Sequence, residues 1–167
     1  MAAVVLLLTT MIVAAAMEGP HRQTRPLRLQ NDAVEINPQG SRLLLTEEAA
    51  TYVRGLGLLA KQNGLRAGDP VLDLTGVSPG SLYVLGARPL GAAWILGGYP
   101  GSKDFLTTAL RHETCSAIGA AWILTEPASG DALSPGLLEP FGIEPSRDYL
   151  DVGPIRSVRS FAPTKFE

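Results

Sequence analysis

The sequence between residues 68 and 76 reads GDPVLDLTG. Gly68 to Pro70 is typical of a turn, and the short apolar run from Val71 to Thr75, closed by Gly76, is typical of a strand that is buried on both faces. A second run of this kind, IGAAWILT, begins at Ile118. The chain between the two runs is long enough for a helical crossover. We therefore predict that residues 71–75 and 118–124 form neighbouring parallel strands.

Helical patterns surround these two strands. Thr46 is a good N-cap, and the apolar spacing that follows predicts a helix over residues 46–62. Ser102 is the predicted N-cap of a second helix that ends near His112. Residues 81–96 should form two short helical pieces or a helix and a loop, and residues 149–152 a third short strand. This order predicts an α/β fold with a small, mostly parallel sheet and helices on both faces.

The N-terminal segment, residues 1–17, reads MAAVVLLLTTMIVAAAM and carries no charged side chain. As a helix it is about 25 Å long, the short end of a membrane span. A membrane anchor, the last transmembrane helix of a longer protein, a cleaved signal peptide and a buried core helix are the alternatives, and we expect one of the first two. Residues 18–42 are then an extended connector, and residues 43–167 a soluble α/β domain.

The orientation of that domain is open. Arg22, Arg25 and Arg28 follow the apolar segment, and the positive-inside rule places such residues in the cytoplasm. Arginines also reach phosphate head groups on either face of a membrane.

The overall composition excludes several classes of protein. The 167 residues are 46% hydrophobic and 18% charged, with a net charge of -2. A chain of this kind is neither disordered nor a binder of nucleic acid. A single cysteine, Cys115, excludes an internal disulfide and a cysteine-rich zinc site. The chain has no HExxH or CxxC motif, so we predict no metal and no cofactor.

Two loops are candidates for a ligand site, because ligands bind beyond the carboxyl ends of parallel strands. Both combine glycines with small polar residues, and the second adds a helix start and a cation, which suits a phosphate. Ordinary turns and helix caps are the alternative interpretation of both loops. The predicted ligand or anion contacts are Asp73, Thr75, Gly76 and Ser78 in the first loop, and Gly98, Tyr99, Gly101, Ser102 and Lys103 in the second.

The first loop also contains Gly76-Val77-Ser78-Pro79-Gly80, which matches the letters of the G-x-S-x-G nucleophile elbow. Pro79 has no N–H to donate to an oxyanion hole. We therefore predict no catalytic residue in this chain. The alternative is a small hydrolase-like enzyme that uses Ser78 with His112.

Residues 71–105 (VLDLTGVSPGSLYVLGARPLGAAWILGGYPGSKDF), followed by AWILTEP at residues 121–127, resemble a known type of membrane protein. The resemblance is to the carboxyl-terminal soluble domain of bacterial multi-spanning membrane proteins similar to polyprenyl-phosphate-sugar-dependent glycosyltransferases. In that type the transferase chemistry lies in the membrane part. The resemblance implies a terminal fragment or stand-alone relative that lies outside the cytoplasm, in the cell envelope.

These observations predict a membrane-tethered accessory or substrate-holding domain for polyprenyl-linked sugar transfer, without its own catalytic centre. Its expected partners are membrane lipid, through residues 1–17, a polyprenyl phosphate or phosphosugar, and a multi-spanning membrane protein. A structural domain that binds a partner protein is the further alternative.

Overall fold

The structure is a computed structural model that describes residues 2–18, 25–36, 40–76, 80–126 and 129–154. The α-helices in these ranges are α1 (Ala2–Glu18), α2 (Glu47–Gln62), α3 (Gly80–Leu85), α4 (Ser102–Leu110), α5 (Cys115–Gly119) and α6 (Pro145–Asp148). The strands are β1 (Asp32–Ile36), β2 (Ser41–Leu45), β3 (Pro70–Asp73), β4 (Arg88–Pro89) and β5 (Trp122–Leu124). Leu27–Leu29 and Pro135–Phe141 form 3₁₀ helices.

Strand β3 is the centre of a three-stranded parallel sheet with the order β4-β3-β5. Val71 pairs with Trp122 and Asp73 with Leu124, so the predicted neighbours are confirmed. The pairing continues past β3, where the Leu74 N–H donates to the Leu124 carbonyl at 2.9 Å. The fold is α/β, and its small sheet is parallel as predicted.

The second predicted strand begins later than its apolar run. The Thr114 hydroxyl accepts a hydrogen bond from the Ala117 N–H at 3.2 Å and caps α5, so Ile118 and Gly119 are helical. The strand prediction for residues 118–121 was therefore wrong. The alanines around Ile118 suit either conformation, and the Thr114 cap favours the helix.

Two other short elements also differ from the prediction. Arg88 and Pro89 form β4 inside a segment expected to be helical or a loop, because the Leu90 N–H donates to the Val71 carbonyl at 2.9 Å. Residues 149–152 do not form a strand. Instead, the Tyr149 hydroxyl donates to the Ile118 carbonyl at 3.0 Å.

The main core lies on one face of β3. Leu72 and Leu74 point to that face, since alternate residues of a strand share a face, and both are buried against α4, α5 and the 3₁₀ helix at residues 135–141. Val71, on the other face, is also fully buried. The buried members of the cluster are Leu72, Leu74, Leu90, Ile95, Leu106, Leu110, Ile118, Ala121, Leu137 and Leu138.

Helix α2 confirms the prediction for residues 46–62. The Thr46 hydroxyl accepts a hydrogen bond from the Ala49 N–H at 3.4 Å, as an N-cap does. Against α2 packs the antiparallel hairpin of β1 and β2, with Val34 and Ile36 buried beside Ala50. The hairpin therefore begins within residues 18–42, the segment predicted as an extended connector.

Helix α1 packs differently from the rest of the chain. Every residue from Ala2 to Glu18 is exposed, and α1 contacts the 3₁₀ helix at Leu27–Leu29. At the end of α1, Glu18 accepts from the Arg28 guanidinium at 2.9 Å. Among the described residues, no helix combines the length and the apolar character required to cross a membrane.

Candidate functional site

The carboxyl end of β3 carries a buried acid. Asp73 is 4% exposed, and its Oδ1 accepts hydrogen bonds from the Thr75 N–H at 2.9 Å and the Thr75 hydroxyl at 2.6 Å. Its Oδ2 is buried and has no hydrogen-bond partner in the part of the chain that the structure describes. The predicted contact pair Asp73 and Thr75 thus forms a strand-end turn with one carboxyl oxygen unsatisfied.

Burial raises the pKa of Asp73 above its ordinary value, because desolvation disfavours the charged form. The two hydrogen bonds from Thr75 act in the opposite direction, and the carboxylate of Glu126, which follows β5, adds to the rise in pKa. Burial and the charge of Glu126 thus both favour the neutral form of the Asp73 carboxyl group.

A third segment fills the space between the two predicted loops. The Gly97 N–H donates to the Asp131 carbonyl at 2.7 Å, and the Leu133 N–H donates to the Leu74 carbonyl at 2.9 Å. Residues 73–76, 97–98 and 131–133 thus meet at the end of β3, and we call this contact the three-loop junction.

Glycines make the three-loop junction possible. A Cβ on Gly76 would overlap the Asp131 carbonyl, and Gly76 also has a φ of +71°, which favours glycine. A Cβ on Gly97 would lie 2.5 Å from the same oxygen, and one on Gly98 would lie 2.6 Å from Asp131 Oδ1. The space left by these glycines is therefore occupied by Asp131. The sequence gives no local signal for this contact.

The start of α4 differs from the prediction. Gly101, with a φ of +84°, is the N-cap, and Ser102 is the first helical residue. The Ser102 hydroxyl donates to the Leu96 carbonyl instead of capping the helix. The prediction of Ser102 as N-cap was wrong, because a glycine in the left-handed region reverses the chain one residue earlier. Lys103 follows in the first turn and is exposed.

Exposed aromatic side chains surround this helix start. Trp94, Tyr99 and Phe105 are 54%, 65% and 58% exposed. They line an open cleft of about 360 Å³, which we call the aromatic cleft. Its other lining residues are Ile95, Leu96, Pro100, Gly101 and Ser102. Trp94 and Phe105 were not among the predicted contacts, although Trp94 precedes and Phe105 follows the predicted loop at residues 98–103.

The structure thus divides the predicted contacts into two groups. Asp73, Thr75, Gly76 and Gly98 belong to the three-loop junction, and Tyr99, Gly101 and Ser102 line the aromatic cleft, with Lys103 next in the chain. Ser78 lies outside the described residues, so its pairing with His112 stays an alternative hypothesis. His112 and Cys115 are exposed. No group of three or more His, Cys, Asp or Glu side chains within the described ranges is arranged to hold a metal ion.

Comparison of the chain with protein-family models, with curated proteins and with solved structures finds no match in any of the three.

Proposed function

We propose that this protein is a membrane-tethered domain that holds a polyprenyl phosphate or phosphosugar for a sugar transferase, without a catalytic centre of its own. The aromatic cleft, beside the first turn of α4, is the observation that carries this proposal. The resemblance of residues 71–105 to domains attached to polyprenyl-linked transferases supports it, and on that basis we propose the outer face of the membrane as the location of the domain.

The tether is α1. All of its residues are exposed, and none from Ala2 to Met17 is charged. Transfer of such a surface from water to hydrocarbon is favourable by roughly 25 cal/mol per Å². At 17 residues α1 is about 25 Å long, somewhat less than the roughly 30 Å hydrocarbon core of a bilayer. Local thinning of the bilayer accommodates a helix of this length.

The two ends of the proposed ligand have different chemistry, and the cleft offers a partner for each. The isoprenoid chain is apolar, and Trp94, Tyr99 and Phe105 present apolar ring faces to solvent. The phosphate is anionic, and α4 starts beside the cleft with the positive end of its dipole and with the Lys103 ammonium. Sugar rings also stack on exposed aromatic rings, so a phosphosugar suits the same surface.

This arrangement separates the two predicted loops in function. The cleft is open to solvent, whereas Asp73 and Gly76 are buried. In our proposal the ligand therefore contacts the loop at residues 98–103, and the turn at residues 73–76 supports that loop through Asp131. A multi-spanning transferase that receives the ligand is the proposed protein partner.

Lys103→Glu tests the anionic end of the site. The substitution reverses the charge beside the phosphate, and a charge-assisted contact of about 1.5 to 3 kcal/mol corresponds to roughly tenfold to hundredfold weaker binding. The measurement is a calorimetric titration of farnesyl phosphate, a short polyprenyl phosphate, into the full-length chain in detergent micelles.

Arg111→Glu is the matched control, because it makes the same charge change at the opposite end of α4, where Arg111 is exposed. We expect its affinity to stay within about twofold of the parent. Equal losses in the two variants would indicate a general effect of net charge, and no binding by the parent would refute the proposed function.

A further inference from the structure

We propose that Asp73 holds a proton in the folded domain and acts as a pH-sensitive latch on the three-loop junction. The inference does not depend on the ligand of the aromatic cleft. It rests on the geometry of a buried carboxyl group at the point where three segments of chain meet.

The hydrogen bonds locate the proton. Oδ1 accepts from both donors of Thr75, at 2.9 and 2.6 Å, whereas Oδ2 is buried without a partner among the described residues. An ionised Asp73 would therefore leave part of its charge on an oxygen that is buried and has no described donor. Buried groups in this situation take up a proton rather than remain charged. The proton belongs on Oδ2, and Oδ1 keeps its two hydrogen bonds.

One neighbouring charge favours the same state, since Glu126, after β5, raises the pKa of Asp73. The junction also contains the carboxylate of Asp131, whose Oδ1 lies beside Gly98. Arg88 of β4 lies at the other end of β3, where it pairs with Glu113 at 3.6 Å. In α3, Ser81 is buried, and its hydroxyl is hydrogen-bonded to the hydroxyl of Tyr52 of α2 at 3.0 Å.

Proton loss at Asp73 acts on the junction through the backbone. The Thr75 hydrogen bonds fix the turn that presents Gly76 to Asp131, and the Leu74 carbonyl holds Leu133. An ionised Oδ2 is stabilised by water, and water reaches it only when this turn moves. The movement separates Asp131 from Gly97, the residue that leads into the aromatic cleft. Opening of the junction should therefore increase with pH.

The direction in which pH changes protection of the junction follows from the difference in proton binding between the folded and unfolded states. The folded-state pKa of Asp73 is above its unfolded value, so the folded state binds more protons between the two values. Protection of the junction is then complete below the ordinary aspartate pKa of about 3.9 and is lost as pH rises to the raised value. Each pH unit within that window changes the opening equilibrium about tenfold.

Native-state hydrogen exchange measures the opening. The amides of Gly97 and Leu133, which donate across the junction, report it directly in the full-length chain in detergent micelles. Protection factors, which remove the intrinsic pH dependence of exchange, should fall by about tenfold per pH unit across the window in the parent. In Asp73→Asn, which keeps an oxygen acceptor for Thr75 and has no titrating proton, they should be independent of pH.

Glu126→Gln distinguishes an Asp73 whose proton controls opening of the junction from an Asp73 that only holds the turn through its hydrogen bonds. Removal of this negative charge lowers the pKa of Asp73. The upper end of the pH window, above which protection of the amides no longer falls, should therefore lie at a lower pH than in the parent. The ¹³C carboxyl shift of Asp73 in the parent gives a readout that needs no variant. An Asp73 carboxyl that titrates near the ordinary pKa of about 3.9, or protection in Asp73→Asn that falls as in the parent, would overturn the proposal.

Discussion

Gly76→Ala should lower the free energy of unfolding by about 2 to 5 kcal/mol. The left-handed φ of +71° is unfavourable for alanine by about 1 to 2 kcal/mol. The added Cβ would also overlap the Asp131 carbonyl, and such overpacking costs a further 1 to 3 kcal/mol or so. Relief of the overlap requires the Asp131 segment to move away from Gly97. The measurement is equilibrium unfolding in urea, followed by circular dichroism.

Gly64→Ala is the control for backbone strain. Gly64 has a φ of +86°, but nothing lies within 4 Å of the position of an added Cβ. Its substitution should therefore cost about 1 to 2 kcal/mol, the strain alone. If Gly76→Ala and Gly64→Ala destabilised the domain equally, overlap of the added Cβ with the Asp131 carbonyl would contribute nothing to the loss of stability in Gly76→Ala.

Leu72→Asp should abolish cooperative unfolding of the domain. Leu72 is 1% exposed at the centre of β3, and an aspartate there replaces core packing with an unpaired buried carboxyl group. The combined loss is about 4 to 5 kcal/mol or more, against a total stability of about 5 to 15 kcal/mol for a typical domain. Thermal unfolding by circular dichroism gives the result.

Two control variants separate the effect of a buried charge at Leu72 from the effects of a cavity and of an exposed charge. Leu72→Ala should keep a cooperative transition and lose about 2 to 5 kcal/mol, since it only opens a cavity. Leu44→Asp, at a position 57% exposed on β2, should change stability by no more than about 0.5 kcal/mol. A cooperative melt of Leu72→Asp within a few degrees of the parent would show that β3 does not hold the core together.

The elements that could be predicted are those with a strong local pattern. The strand-like sequence VLDLT at residues 71–75 and the Thr46 cap each favour one conformation, and β3 (Pro70–Asp73) and α2 form within one or two residues of the predicted bounds. Strand β4 has only Arg88 and Pro89, too few residues for any periodicity. Proline is tolerated there because β4 lies at the edge of the sheet.

The candidate site was less predictable for a different reason. Gly76 and Gly98 were predicted ligand contacts, because a glycine leaves space in which a ligand can approach the backbone closely. The structure fills that space with Asp131, from a segment far along the chain that carries no motif of its own. A glycine indicates that something approaches the backbone closely, and sequence alone does not say what. Trp94 and Phe105 were missed because core packing is the usual role of such residues.

The fluorescence emission of Trp94 reports directly whether the aromatic cleft holds a polyprenyl phosphate. The experiment uses the Trp122→Phe variant, in which Trp94 is the single tryptophan. The full-length variant is placed in lipid nanodiscs. Trp94 is 54% exposed, and an isoprenoid chain against its ring would remove that surface from water. We expect farnesyl phosphate to shift the emission to shorter wavelength with saturation, and inorganic phosphate to leave it unchanged. An emission maximum that does not move with farnesyl phosphate would show that the aromatic cleft does not bind a polyprenyl phosphate.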